Sequence, residues 1–198
     1  MAWFALVLQF RLILQNGPAT GMSPSTLATN FFSYFTILSN LLVAVSLSIA
    51  LFLPGSPAAI FSYRLPVRSA ITVYIFIVGL VYNLVLRQIW SPTGLQLLAD
   101  NLLHVGVPIA FLILWFMEPQ TERLAWKLIL PWLIFPAVYL LYSLIRGAMT
   151  GWYPYPFLDA GRYGYAKVSI NALGVLLAFL LAGSGLIALN RSIHKKSS

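Results

Sequence analysis

Long apolar runs separated by short polar or proline-rich breaks dominate the pattern along this chain. Their approximate bounds are 27–53, 67–86, 95–117, 128–145 and 168–189. A helix that crosses a bilayer needs about 20 predominantly apolar residues, and each run is close to that length. The breaks fall at Pro54-Gly55-Ser56-Pro57, at Glu118-Pro119 and at the segment 152–156. The pattern therefore predicts five membrane-spanning helices.

A sixth apolar run lies at the N-terminus, from Ala2 to Leu14, and is interrupted by Arg11. No basic region precedes this run and no small-residue cleavage site follows it, so we expect a retained helix and not a cleaved signal peptide. The predicted fold class is all-α, a polytopic membrane bundle of six transmembrane helices. No internal repeat and no linker interrupts residues 1–198, which predicts a single integral membrane domain.

Composition supports the membrane assignment. Hydrophobic residues make up 60% of the 198 positions, charged residues only 8%, and the mean hydropathy is +0.87. Soluble domains are about one quarter charged, so this chain lacks the polar residues that a water-facing surface requires. The absence of cysteine excludes disulfides, thiolate metal sites and a cysteine nucleophile.

The formal net charge of +8 comes from basic residues that flank the apolar runs. That placement is typical of membrane-flanking residues, so we expect no nucleic-acid partner. Short cytoplasmic loops retain Lys and Arg, and the face with both termini would carry seven of them against four on the other face. Both termini are therefore predicted to be cytoplasmic, and the last eight residues to form a basic tail.

On this topology the polar residues of the spans gather in the outer half of the bundle, and the inner half is almost purely apolar. The predicted outer set consists of Arg11, Ser33, Thr36, Asn40, Asn83, Arg87, Asp100, Asn101, His104, Ser143, Arg146 and Asn171. Burying ionisable groups in hydrocarbon costs several kcal/mol unless they are paired or face a cavity. We therefore predict a shared polar pocket in the outer half.

Spacing within this set indicates a possible chemistry. Thr36 and Asn40 lie one helical turn apart, as do Asp100 and His104, so each pair shares one helix face. If the second and fourth spans face each other, Thr36 meets His104, while Asp100 or an asparagine orients the imidazole. That is the general arrangement of nucleophile, base and orienting group.

Two segments resemble a known family. The run from Asn30 to Leu42, NFFSYFTILSNLL, and the run from Asp100 to Pro108, DNLLHVGVP, are similar to a bacterial six-span family related to the androgen-induced membrane hydrolases. The segment 152–159, WYPYPFLD, fits the bacterial branch. The resemblance covers most of the chain and implies a place in a bacterial cytoplasmic membrane.

In the eukaryotic relatives an intramembrane threonine and histidine hydrolyse fatty-acid esters of hydroxy fatty acids. The resemblance therefore implies that Thr36 and His104 are catalytic and that the partners are membrane lipids and a lipophilic ester substrate. The predicted supporting or substrate-binding residues are Arg11, Asn40, Asn83, Arg87, Asp100, Asn101, Asp159 and Asn171. Asn40, Asn101 and Asn171 are the alternatives for an oxyanion hydrogen bond.

Other readings stay open from the residues alone. The same pocket suits a non-enzymatic carrier or binder of a small molecule or lipid, or a scaffold whose polar core only associates helices. Asp100 can neutralise Arg87 or Arg11, and the segment around Asp159 is either a lid or an interfacial anchor. A single histidine within a span predicts no metal site, and no cofactor is expected. Oligomeric state is left open.

Overall fold

The computed structural model describes residues 1–17, 21–120 and 122–196, and these residues form helices and connecting segments without any strand. Within these residues, five helical stretches are long and apolar enough to cross a membrane. They are Phe35–Phe52, Leu65–Gln88, Gly94–Met117, Trp126–Thr150 and Ala160–Ile193. The all-helical membrane class and five of the predicted spans are confirmed at this level. The sixth span and the cytoplasmic termini stay predictions.

The chain divides into two compact units, Met1–Glu122 and Arg123–Ser198. The helices of unit 1 are α1 (Ala2–Asn16), α2 (Pro24–Phe32), α3 (Phe35–Phe52), α4 (Pro57–Tyr63), α5 (Leu65–Leu84), α6 (Gly94–Asn101) and α7 (Val107–Met117). A short 3₁₀ turn, Leu86–Gln88, follows α5, and a π-helical turn, Leu102–Gly106, joins α6 to α7. The prediction of one domain over residues 1–198 stays a prediction.

Helix α1 is the shortest of the predicted spans. Its 15 residues extend about 22 Å at 1.5 Å per residue, less than the roughly 30 Å of a bilayer core. The helix nevertheless packs firmly within unit 1, because Ala5 and Leu6 are buried in a cluster with Phe31, Ile37 and Leu103. Helix α1 therefore supports the start of α3 and the π-helical turn.

One predicted span is interrupted. The apolar run 27–53 was expected to be continuous, but the chain bends at Ser33 and Tyr34, between α2 and α3. The Ser33 hydroxyl donates to the Thr29 carbonyl at 2.6 Å, and Tyr34 is extended, with φ −86° and ψ 130°. A serine hydroxyl competes for the helix carbonyl one turn back, which favours such a bend. As a result, Thr36 lies in the first turn of a new helix.

The described part of unit 2 contains the α-helices α8 (Ile129–Trp132), α9 (Ile134–Thr150) and α10 (Ala160–Lys196), with 3₁₀ turns at Trp126–Leu128 and Pro156–Leu158. Gly151 ends α9 in the left-handed region at φ 70°, and Gly164, at φ 72°, bends the start of α10. Asn190 and Arg191 on α10 bind the backbone of Leu124, at 2.8 and 3.0 Å. The predicted basic tail, residues 191–198, is helical as far as Lys196; Ser197 and Ser198 lie outside the described residues.

Candidate functional site

Thr36 and His104 meet inside unit 1. The Thr36 Oγ1 and His104 Nε2 atoms are 3.3 Å apart, and Thr36 is only 7% exposed. Thr36 lies in the first turn of α3, and His104 lies in the π-helical turn that precedes α7. The two residues are 68 positions apart in the sequence, so only the packing of α3 against this turn brings them together.

The second ring nitrogen of His104 defines the tautomer. His104 Nδ1 lies 2.9 Å from the backbone carbonyl oxygen of Asp100 and 3.5 Å from Asp100 Oδ1. Both oxygens only accept hydrogen bonds, so a neutral imidazole in this environment carries its proton on Nδ1. Nε2 then has a free lone pair directed at the Thr36 hydroxyl, which is the arrangement a general base requires.

The π-helical turn at His104 has a clear origin in the sequence. Pro108 follows His104 by four residues and has no N–H to donate to the His104 carbonyl, and its ring crowds that carbonyl. The turn widens accordingly, and the Val107 N–H donates to the Leu102 carbonyl five residues back. Single π-helical turns inside α-helices are frequent at functional sites.

Two asparagines bind the carbonyls of this turn. Asn40 on α3 donates to the Leu103 carbonyl at 3.2 Å and to the Thr36 carbonyl at 2.9 Å. Asn83 on α5 donates to the His104 carbonyl at 3.5 Å and to the Gly79 carbonyl at 2.8 Å. The side chains thus replace donors that the widened helix lacks, and Asn40 ties the backbone of Thr36 to the turn that carries His104.

Asp100 is buried, 5% exposed, beside the imidazole. The Tyr82 hydroxyl on α5 donates to Asp100 Oδ2, and the Tyr82 ring stacks on the imidazole with centroids 3.9 Å apart and planes inclined by 14°. Asp100 makes no ion pair with Arg87 or Arg11 among the described residues. The Asp100 carboxylate therefore contacts His104 and Tyr82, and the alternative of an arginine partner is not observed among the described residues.

The other predicted site residues of unit 1 have different surroundings from one another. Arg87 donates to Asn83 Oδ1 at 2.8 Å and to Asn101 Oδ1 at 3.1 Å, which links α5 to α6. Arg11 is exposed on α1. Among the oxyanion alternatives, Asn40 already uses both amide hydrogens on carbonyls. Asn40 therefore has no hydrogen left for an oxyanion, and its position supports an orienting role.

Asp159 and Asn171 belong to unit 2. The Asp159 carboxylate accepts from the Arg162 N–H at 2.9 Å at the start of α10, as a helix-capping residue does. Asn171 donates to the Phe157 carbonyl at 2.8 Å. In the same unit, Arg146 lies 4.3 Å from the centre of the Trp152 ring. These contacts organise the segment 152–159, and the site roles predicted for Asp159 and Asn171 stay predictions.

Sequence reasoning overlooked Tyr82 and Gly79. Tyr82 was grouped with the apolar residues, although its neighbour Asn83 belongs to the predicted outer polar set. The Tyr82 hydroxyl, at the same depth as Asn83, was the available signal. A Cβ at Gly79 would lie 3.0 Å from the His104 carbonyl oxygen and 3.4 Å from Pro108 Cβ. The absence of a side chain at Gly79 therefore permits the close approach of α5 to the π-helical turn.

The opposite end of the same helices is not apolar, contrary to the expectation for the inner half. Arg68, near the start of α5, forms an ion pair with Glu118, directly after α7. Nearby, the buried Trp115 indole donates to the Ser69 hydroxyl at 2.9 Å. The expectation failed because Arg68 and Glu118 were counted as loop charges, whereas their side chains are mostly enclosed, 13% and 31% exposed.

No cluster of three or more His, Cys, Asp or Glu side chains that could hold a metal occurs in the part of the chain that the structure describes. Comparisons of this chain with family models, with curated proteins and with solved structures found no match. The relationship to membrane hydrolases is therefore a prediction that rests on the motifs around Thr36 and His104.

Proposed function

We propose that this chain is a membrane-embedded hydrolase of lipid esters, with Thr36 as the nucleophile and His104 as the general base. The observation that carries the proposal is the Thr36 Oγ1 to His104 Nε2 contact of 3.3 Å, with Nδ1 committed to the Asp100 carbonyl. A threonine hydroxyl is a weak nucleophile until a neighbouring base removes its proton. Hydrogen bonds of this kind are often long in the absence of substrate.

The reaction follows from this geometry in two steps. In the first, Nε2 takes the Thr36 proton as Oγ1 attacks the ester carbonyl carbon, and the resulting imidazolium returns the proton to the departing alcohol oxygen. The product is an acyl-threonine. In the second, His104 removes a proton from water, the hydroxide oxygen attacks the acyl carbon, and Thr36 leaves with the proton, which releases a carboxylic acid.

The surroundings of the pair support a lipophilic substrate. Thr36 and His104 lie on helical stretches, Phe35–Phe52 and Gly94–Met117, that are long and apolar enough to cross a membrane. The positions next to Thr36, Phe35 and Ile37, are buried apolar residues. A substrate that reaches the hydroxyl through such surroundings must tolerate an apolar environment, as an acyl chain does.

The direct test is covalent labelling of the purified protein in nanodiscs with a lipophilic fluorophosphonate, which reacts with activated hydroxyls. Labelling should occur in the wild type and fall by roughly 10²- to 10⁴-fold in His104→Gln, because a general base contributes about that factor. Thr36→Val, nearly equal in shape, should abolish labelling. Thr29→Ala, which alters an exposed threonine of α2, is the matched control and should label normally.

Two outcomes would contradict the proposal. A folded wild type that does not label, or a Thr36→Val variant that labels like the wild type, excludes Thr36 as an activated nucleophile. In the first case the alternative is a non-enzymatic binding or transport protein that uses the same polar residues. Retention of a lipid by the wild type, lost in Thr36→Val without any turnover of acyl esters, would identify that alternative.

We also propose that α1 is a sixth span, that both termini are cytoplasmic and that the protein resides in a bacterial cytoplasmic membrane. The basis is the seven-to-four distribution of Lys and Arg and the resemblance of the motifs. The chain has no cysteine, so single cysteines can report topology without background. A cysteine in an N-terminal extension and one at Glu122 should be shielded from an impermeant maleimide in intact cells, whereas Ser91→Cys should react.

A further inference from the structure

The end of unit 1 opposite Thr36 and His104 contains a second polar region that the proposed function does not use. A small cleft that is open to the surroundings lies between α3, α4, α5 and α7. The residues that line it include the Arg68–Glu118 ion pair, Ser46, Ser62, Tyr63 and Thr72. We propose that this cleft binds the headgroup of a phospholipid that carries a primary ammonium group, of the phosphatidylethanolamine type.

The serine and threonine hydroxyls of the cleft, unlike the phenol of Tyr63, cannot donate a hydrogen bond to a ligand. Ser46 donates its hydrogen to the Val43 carbonyl at 3.0 Å, Ser62 donates to the Ala59 carbonyl at 3.0 Å and Thr72 donates to the Arg68 carbonyl at 2.8 Å. A hydroxyl has one hydrogen, so Ser46 and Ser62 have only lone pairs to offer a ligand, and Thr72, which is 1% exposed, is too enclosed to contribute. The Glu118 carboxylate, 31% exposed, adds further acceptors. A primary ammonium, with three N–H donors and a positive charge, complements such a lining.

Arg68 favours an anionic group in the same ligand. Its Nη1 pairs with Glu118, while its Nε is buried and has no hydrogen-bond partner among the described residues. A buried donor without a partner is costly, and a phosphate oxygen is a preferred acceptor for guanidinium groups. Arg68 can therefore bind a phosphate while it keeps Glu118, and Glu118 can at the same time accept from the ammonium two carbons further along the headgroup.

The position of the cleft identifies a membrane lipid as the source of this headgroup. Arg68 lies in the first turns of α5 and Glu118 directly follows α7, at the ends of two stretches that are long enough to span a membrane. Headgroups lie at that level of a bilayer. The cleft wall includes Leu47 and Leu114, which are 41% and 39% exposed. Acyl chains can therefore continue along the outer surface from a headgroup held in the cleft.

The test is native mass spectrometry of the purified full chain after incubation with equal amounts of dioleoyl phosphatidylethanolamine, phosphatidylcholine and phosphatidylglycerol. Phosphatidylcholine has the same charges but no ammonium N–H, and phosphatidylglycerol has the phosphate and two hydroxyls but no cationic group. We expect the ethanolamine lipid to be retained roughly tenfold over the other two, the factor that corresponds to one charge-assisted hydrogen bond. Equal retention of all three lipids by the wild type would overturn the proposal.

Three variants locate the binding. Glu118→Gln should remove the preference for the ethanolamine lipid, and Ser62→Ala, a mild change at a half-buried position, should reduce it severalfold. Arg64→Gln, which alters an exposed neighbouring arginine, should retain it. An unchanged preference in both Glu118→Gln and Ser62→Ala would place the binding site elsewhere and overturn the proposal. Displacement of the lipid by an equal concentration of free phosphoethanolamine would also overturn it, because the ligand would then not have to be a lipid. Arg64→Gln leaves Thr36, His104 and the residues that line the cleft untouched, so its fluorophosphonate labelling should remain normal.

Discussion

The two polar regions of unit 1 handle buried charge in different ways. Around His104, the Asp100 carboxylate accepts from a tyrosine hydroxyl, and the imidazole donates to a backbone carbonyl. Around Arg68, two opposite charges meet directly in an ion pair with Glu118. The first arrangement leaves one imidazole nitrogen with a lone pair next to a hydroxyl, whereas the second neutralises the charges of both partners.

This difference shows how the carboxylate beside the candidate catalytic pair is kept apart from cations: Asp100 contacts His104 and Tyr82, and no arginine pairs with it among the described residues. An arginine paired with Asp100 would cancel the charge that stabilises an imidazolium, and a cation beside His104 would disfavour proton uptake. Arg87 instead binds the side-chain oxygens of Asn83 and Asn101. The polar residues near Thr36 thus orient neighbouring side chains, whereas Arg68 and Glu118 neutralise each other's charge.

The largest effect on stability is expected at the ion pair. Glu118→Gln leaves Arg68 without its charge partner in a mostly enclosed position, so the free energy of unfolding should fall by roughly 1–3 kcal/mol. Denaturant titration in detergent micelles measures it. The exchanged variant Arg68→Glu/Glu118→Arg should recover most of the loss. Equal instability of the single and exchanged variants would show that the direct pair is not what matters.

A smaller effect is expected at Tyr82. Tyr82→Phe keeps the ring stacked on His104 but removes the hydroxyl donor from buried Asp100, which should cost about 1–2 kcal/mol of unfolding free energy. The rate of fluorophosphonate labelling should also fall severalfold, since the carboxylate beside the imidazole loses its fixed orientation. Tyr63→Phe, at an exposed position at the end of α4, should change neither quantity. Unchanged stability in Tyr82→Phe would exclude the Tyr82–Asp100 hydrogen bond.

The smallest change in unfolding free energy is expected at Gly79, although the labelling rate should still fall there. An added Cβ 3.0 Å from the His104 carbonyl must displace the π-helical turn, while alanine gains about 1 kcal/mol of helix propensity over glycine. The net change in unfolding free energy for Gly79→Ala should stay within about 1 kcal/mol, whereas the labelling rate should fall by about two- to tenfold. Gly174→Ala, where the new Cβ would meet no described atom within 4 Å beyond the backbone of its own helix, should label normally. Normal labelling of Gly79→Ala would show that the turn tolerates displacement.

Much of the site could be expected from spacing, and part of it could not. The pairs Thr36 with Asn40 and Asp100 with His104 follow from the helical period alone. The bend at Ser33 could not be predicted, because an apolar run gives no sign of where a serine hydroxyl will replace a helical hydrogen bond. Tyr82 was overlooked because its ring is apolar and only its hydroxyl is polar. The partner of Arg68 could not be identified, because two residues 50 positions apart meet only when α5 and α7 pack.

The sequence by itself determined the class of this protein, because the length and low charge of its apolar runs leave lipid as the only suitable solvent for five helices. Pro108, which has no N–H to donate, is the local cause of the widened turn at His104, although the run 95–117 was predicted as one uninterrupted helix. Only the tertiary structure decided which nitrogen of His104 points at Thr36 and which residue binds Asp100. Hydrogen bonds between distant residues depend on distances of a few tenths of an ångström and on angles, and those are defined only after the helices have packed.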